Sequence, residues 1–205
     1  MKKVLLTLTL ILVANQLWAQ RDIEITAFSG YTFKNTFDIY GGRARIDDGH
    51  TYGGMLAVEV TDGLDVEFMY SRQNTVVTAY SAFMSNDVNE DANVVYYMIG
   101  GTKTFETMNS SLNFFTGMKL GGVTIASQED DFDSVTKFAA GLNGGVKYFI
   151  TDKLGIKLAM LINFPIVDVG AGLWFGTGGG GVGVSTWSPI VQFNMQGGLF
   201  FRISN

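Results

Sequence analysis

Residues 191–203 read VQFNMQGGLFFRI. One phase of this stretch holds Val191, Phe193, Met195, Gly197, Leu199, Phe201 and Ile203. The other holds Gln192, Asn194, Gln196, Gly198 and Arg202, with Phe200 its one large apolar member. Strict alternation of this kind predicts a β-strand with one apolar and one polar face. The run exceeds the ~5–6 residues of an ordinary soluble strand and suits the ~9–11 of a tilted membrane-spanning strand plus its ends.

The same period recurs upstream. Leu154, Ile156, Leu158, Met160, Ile162 and Phe164 share a face opposite Lys153, Lys157 and Asn163. Phe138, Ala140, Leu142, Val146, Tyr148 and Ile150 oppose Lys137, Asn143 and Lys147. Leu112, Phe114, Met118 and Leu120 oppose Asn113 and Lys119. Leu64, Val66, Phe68 and Tyr70 oppose Asp65, Glu67 and Ser71, while Leu56, Val58 and Val60 oppose Ala57 and Glu59. Ile23, Ile25, Ala27, Tyr31 and Phe33 oppose Glu24, Thr26 and Thr32. Residues 94–105 carry apolar groups on both faces and read as a strand by their β-branched and aromatic content.

Eight strands follow, with connections that alternate short and long. Thr61-Asp62-Gly63 is a hairpin signal, and residues 106–110 and Thr151-Asp152-Lys153 are the other short links. Residues 34–51, 73–93, 126–134 and 165–188 are the long ones. Short turns at one end and long loops at the other are the layout of an outer-membrane barrel, with both termini on the periplasmic side. Aromatic girdles agree: Tyr31, Phe33, Tyr70 and Phe164 at the outer ends of strands, and Phe105, Phe114, Tyr148 and Phe201 at the periplasmic ends. The predicted fold is all-β, an eight-stranded antiparallel up-and-down transmembrane β-barrel. A lipocalin-like soluble barrel has the inverse pattern, apolar inside. Loop alternation, strand length and girdles favour the membrane form.

The rest of the composition fits. The 205 residues include 26 Gly, 16 Phe, two Pro and no Cys, and charged residues are only 16%. The net charge of −5 speaks against nucleic-acid binding. Without cysteine there is no disulfide, thiolate metal site, thiol nucleophile or lipid-anchored N-terminus. Lys2 and Lys3, the apolar run 4–13 and Leu17-Trp18-Ala19 read as a cleaved signal peptide over residues 1–19, leaving 20–205 as the barrel domain. No later stretch reads as a spanning helix, since Asn163 and Pro165 interrupt the best candidate, 158–167.

Several segments resemble the small outer-membrane β-barrel family that includes OmpA- and OmpX-like barrels, in its Bacteroidota form. They are Tyr52-Gly53-Gly54, Gly63-Leu64-Asp65-Val66-Glu67-Phe68-Met69-Tyr70-Ser71, Tyr97-Met98-Ile99-Gly100-Gly101, Gly141-Leu142-Asn143-Gly144-Gly145-Val146-Lys147 and Gly198-Leu199-Phe200-Phe201-Arg202. The resemblance covers essentially the whole mature chain and implies a barrel architecture without a single shared function. The last strand departs from the commonest assembly signal by ending Ser204-Asn205 instead of on an aromatic residue.

A barrel of eight strands has an interior that its own side chains can fill. The inward phase is charged: Glu24, Glu59, Asp65 and Glu67 on the first three strands, and Lys103, Lys119, Lys147, Lys157 and Arg202 on the later ones. An acidic wall facing a basic one predicts a lumen ion-pair network that plugs the barrel. No catalytic or metal residue is expected. The single histidine, His50, reads as a solvated residue of the first outer loop near Asp47 and Asp48, with none of the loop serines Ser81, Ser85 and Ser127 tied to it. Asp87-Val88-Asn89-Glu90-Asp91 begins like a calcium loop, but Ala92 and Met98 stand where glycine and glutamate belong. Residues 129–133 form a second acidic cluster. Trp174, Phe175 and Trp187, in the glycine-rich fourth loop, are a candidate contact surface or part of the outer girdle.

The expected function is non-enzymatic: a structural or interaction barrel, an accessory subunit of a larger outer-membrane complex, with no cofactor. Its expected partners are outer-membrane lipid and lipopolysaccharide, the barrel-assembly machinery during biogenesis, and an outer-membrane protein. A narrow pore for ions or small hydrophobic solutes is the alternative, and a lipid-modifying enzyme is the second.

Overall fold

The computed structural model describes residues 21–39, 42–82, 88–108, 111–127, 134–166 and 190–204. Its strands are β1 (Ile23–Thr32), β2 (Asn35–Ile39), β3 (Gly42–Ile46), β4 (Gly49–Thr61), β5 (Leu64–Ser81), β6 (Val88–Glu106), β7 (Leu112–Ser127), β8 (Val135–Phe149), β9 (Leu154–Ile166) and β10 (Gln192–Ile203). Consecutive barrel strands pair antiparallel. The wall closes where β1 meets β10, from Ile23↔Ile203 to Thr32↔Asn194. The chain is therefore a closed eight-stranded antiparallel β-barrel, with β2 and β3 standing on top of β1 and β4.

β2 and β3 are not independent strands. The β1–β4 ladder ends at Thr32↔Gly49, and Asn35↔Ile46 resumes it in the same register. The interruption comes from the other side: β4 meets β5 at Thr51↔Gln73, but β3 meets it at Ile46↔Val77, a slip of one residue. That slip is a bulge, which leaves a carbonyl out of the ladder. Asp47 carries it, and Gln73 Nε2 (3.1 Å) and Thr75 Oγ1 (2.6 Å) donate to its oxygen. The first long link, read as a loop over 34–51, is thus mostly a hairpin that continues the wall. The second, read over 73–93, is largely the upper ends of β5 and β6, which pair from Leu64↔Lys103 to Ala79↔Val88.

These segments escaped the alternation rule because its phase inverts along β5 and β6. In the lower half of β5, Leu64, Val66 and Phe68 face outward and Glu67 is buried inside. Above Arg72 the buried positions are Gln73 and Thr75 and then the apolar Val77 and Ala79, while Asn74 faces out. The lower half turns apolar residues outward and the upper half turns them inward, so one strand carries both patterns.

The outer surface of the lower half is apolar all round. Ile25, Leu56, Phe68, Ile99, Leu120, Leu142, Leu158 and Leu199 all stand exposed on it. The rings expected in girdles face the same way, with Tyr31 packed edge-on to Phe33 and Tyr70 beside Tyr97. At the turn end, Gly63 takes φ +66°, the left-handed conformation that its hairpin requires. The proposed signal peptide (1–19) and Trp174, Phe175 and Trp187 lie outside the described residues, as do Asp87 and the acidic cluster 129–133.

Candidate functional site

The lumen is layered. Nearest the turn end lies a charged layer, built because each contributing strand places its inward phase at the same height. Glu24 comes from β1, Asp65 and Glu67 from β5, and Lys119, Lys147 and Lys157 from β7, β8 and β9. Neighbouring strands could not pair these groups, because the acids and bases sit on opposite walls. The contacts therefore cross the barrel.

Glu67 is central. Its Oε2 accepts a hydrogen bond from Lys157 Nζ at 2.5 Å, and its Oε1 lies 2.8 Å from Lys119 Nζ as an ion pair, off the axis of a hydrogen bond. Lys147 Nζ donates to Glu24 Oε2 at 2.9 Å and lies 3.5 Å from Asp65. Lys157 reaches Glu24 Oε1 at 3.7 Å, joining the two halves into one network. Three carboxylates thus meet three ammoniums. Lys147 is 0%, Glu67 1%, Lys119 2% and Lys157 3% exposed, so water is excluded from these four groups, while Asp65 at 14% borders the space below.

Aromatic rings pack against its lysines. Lys157 lies 5.0 Å from the Phe115 ring centre, and Lys147 is 6.0 Å from both Phe115 and Phe200. Such faces stabilise a desolvated cation through the ring quadrupole. Met55, Met69 and Met98 are buried beside them, and Met55 Sδ is 3.7 Å from Lys157 Nζ. Higher up, the lumen turns polar but uncharged. There Thr32 and Thr51 hydroxyls are 2.6 Å apart, Asn194 donates to Thr32, and the Tyr96 hydroxyl donates to Gln192.

Most of the residues read as lumen charges lie in or against this layer. Arg202 sits at its lower edge, 3.6 Å from Glu24 and over the Phe149 ring at 4.7 Å. Glu59 lies lower still, accepting the Gly63 amide at 2.9 Å, without a cation among the described residues. Lys103 is a correction. It is exposed outside the wall, and its Nζ donates to the Asp62 carbonyl at 2.7 Å. The inward positions of β6 at that height are Thr102 and Thr104. β6 is apolar on both faces, so its parity was ambiguous in the sequence. Asp22, which lies 4.0 Å from Arg202, was missed, although it shares the inward phase of Glu24 two residues on.

His50 also moves. It belongs to β4 and not to a loop, and Ser85, one of the serines weighed against it, lies outside the described residues. Ser29, across the ladder on β1, lies 2.8 Å from His50 Nε2, and the ring stacks on Tyr52. Asp48, on the same outer face, accepts a hydrogen bond from the Tyr31 hydroxyl instead. Among the described residues no three His, Cys, Asp or Glu side chains converge as a metal site.

No family model matches the chain, and no curated protein matches it. Solved structures do. Neisserial surface protein A superposes with a TM-score of 0.59 at 12% identity, covering 87% of this chain and 96% of that one. The outer membrane protein OprG of Pseudomonas aeruginosa gives 0.59 at 12%, covering 91% and 97%. The N-terminal β-barrel domain of Pseudomonas aeruginosa OprF gives 0.55 at 14%, covering 90% and 98%. At these identities the likeness establishes the fold, and the fold is that of the small outer-membrane β-barrels.

Proposed function

We propose that this protein is an integral outer-membrane barrel whose lumen is sealed, and that it acts as a structural or interaction subunit, not as an enzyme. The observation that carries the reading is the dry ion-pair layer across the lumen. A passage for ions or solutes needs hydrated walls, whereas these charges satisfy one another. The apolar outer belt supplies the membrane contact, with lipid and lipopolysaccharide as its surroundings and the barrel-assembly machinery as its route of insertion. The hairpins that rise above the belt supply a rigid polar surface for a partner protein.

The test is the native mass of the tagged protein extracted from outer membranes in mild detergent. A mass above one barrel, with a defined outer-membrane protein co-purifying, is expected. A lone monomer overturns the accessory role. Recovery only in the soluble fraction overturns the membrane reading.

One observation favours a second reading, a lipid-acting hydrolase. The Ser29–His50 pair faces outward close to the Tyr31 and Tyr52 rings, where a lipid ester would lie. Against it, His50 makes no second hydrogen bond among the described residues, so nothing orients its ring as the acid of a triad does. Release of fatty acid from phospholipid vesicles, abolished in Ser29→Ala, would support this reading.

A further inference from the structure

Below the ion-pair layer the barrel opens at its turn end into a cavity of about 50 Å³. Five carboxylates line it, those of Asp22, Glu24, Glu59, Asp65 and Glu106, against the single guanidinium of Arg202. Glu24 and Asp65 are engaged by Lys147, and Asp22 by Arg202. Glu59 and Glu106 have no cation partner among the described residues. The uncharged lining points the same way. Asn113 is only 8% exposed, yet its Oδ1 accepts no hydrogen bond, and Thr104 Oγ1 beside it is also without a partner. A buried amide oxygen left unpaired is costly, and native structures rarely tolerate it without a ligand or water to supply the donor.

We infer that this cavity binds an organic ammonium group. The site offers surplus negative charge and orphaned acceptors, so its complement is a cation that is also a hydrogen-bond donor. An ammonium carries three donors and no acceptor. A coordinated divalent metal fits less well, because the carboxylates do not converge as a metal set. The volume admits a head group of a few heavy atoms, several times the ~10–15 Å³ that one water needs. With the turn end in the periplasm, the ammonium belongs either to a free amine there or to a lysine side chain of a periplasmic protein. Only the choice of source rests on the membrane barrel of the proposed function, with its short turns on the periplasmic side as the loop lengths predict.

The experiment is a titration of the folded barrel in nanodiscs, followed by calorimetry and by the amide resonance of Asn113. The probes are n-butylammonium and, in a second arm, a short lysine-containing peptide, each at fixed ionic strength. Saturable binding is expected, weakened at least tenfold in Glu59→Gln/Glu106→Gln. These rim positions lie outside the ion-pair layer, so the variant should fold. Asn113→Asp provides the opposite change and should tighten binding. Tighter binding of the peptide identifies a protein lysine as the source, and tighter butylammonium a free amine. No saturable binding, equal binding by the Gln variant, or magnesium binding at least as tightly as butylammonium overturns the inference.

Discussion

Replacing Glu67 by Gln keeps the volume of the side chain and removes only its charge. Lys157 retains Glu24 at 3.7 Å, but Lys119 has no other carboxylate among the described residues and is 2% exposed. An uncompensated buried charge of this kind costs roughly 3–5 kcal/mol. With a urea dependence of about 1–3 kcal/mol per molar, the unfolding midpoint should fall by roughly 1–5 M. The assay is reversible urea unfolding in phospholipid vesicles, read from the faster migration of the folded barrel on unheated gels. Adding Lys119→Met to Glu67→Gln removes the orphaned ammonium and should recover at least half of the loss, because Lys157 and Glu24 remain paired. A loss below about 1 kcal/mol for Glu67→Gln, or no recovery in the double variant, would mean that water screens the layer, and the sealed-lumen account would fail.

Lys103→Met should shift stability by less than about 0.5 kcal/mol in the same assay, because this lysine lies exposed outside the wall; a loss like that of Glu67→Gln would return it to the lumen. Leu158→Arg, on the outward face of β9 at 53% exposure, should cost about 2–4 kcal/mol in vesicles, since it places a charge against lipid. A neutral result would mean that water, not lipid, surrounds the belt. Gly63→Ala should cost about 1–2 kcal/mol, because a Cβ at φ +66° is strained and would lie 2.8 Å from the Thr104 carbonyl oxygen; unchanged unfolding would show that the turn relaxes freely.

The barrel was legible wherever a strand kept one phase between lipid and lumen. β10 is the clearest case, with Met195, Leu199 and Phe201 outward and Gln192, Asn194 and Gln196 inward. Turn chemistry was legible at Gly63 for the same local reason. The rising hairpins were not, because the inward face of β5 turns from polar to apolar only above Thr75, and the small Ala44, Ala79 and Ala92 stand among the inward residues and weaken the hydrophobic face. Lys103 was misplaced because Val94, Tyr96 and Met98 inside β6 match Val95, Tyr97 and Ile99 outside it, leaving parity without a signal. The charges of the lumen were visible as an inward phase. Which acid met which base was not, since those contacts cross the barrel between residues 52 to 133 apart and depend on strand register. The Ser29–His50 pair depended on register in the same way, once the first loop proved to be a strand.

Reconstitution of the purified protein into planar bilayers, with current recorded at neutral pH, tests the sealed lumen most directly. The account predicts a silent membrane, because the buried Glu24 and Glu67, the part-buried Asp65 and three buried ammoniums occupy the cross-section of the barrel. A steady unitary conductance from the wild-type protein would contradict it and favour the narrow-pore alternative.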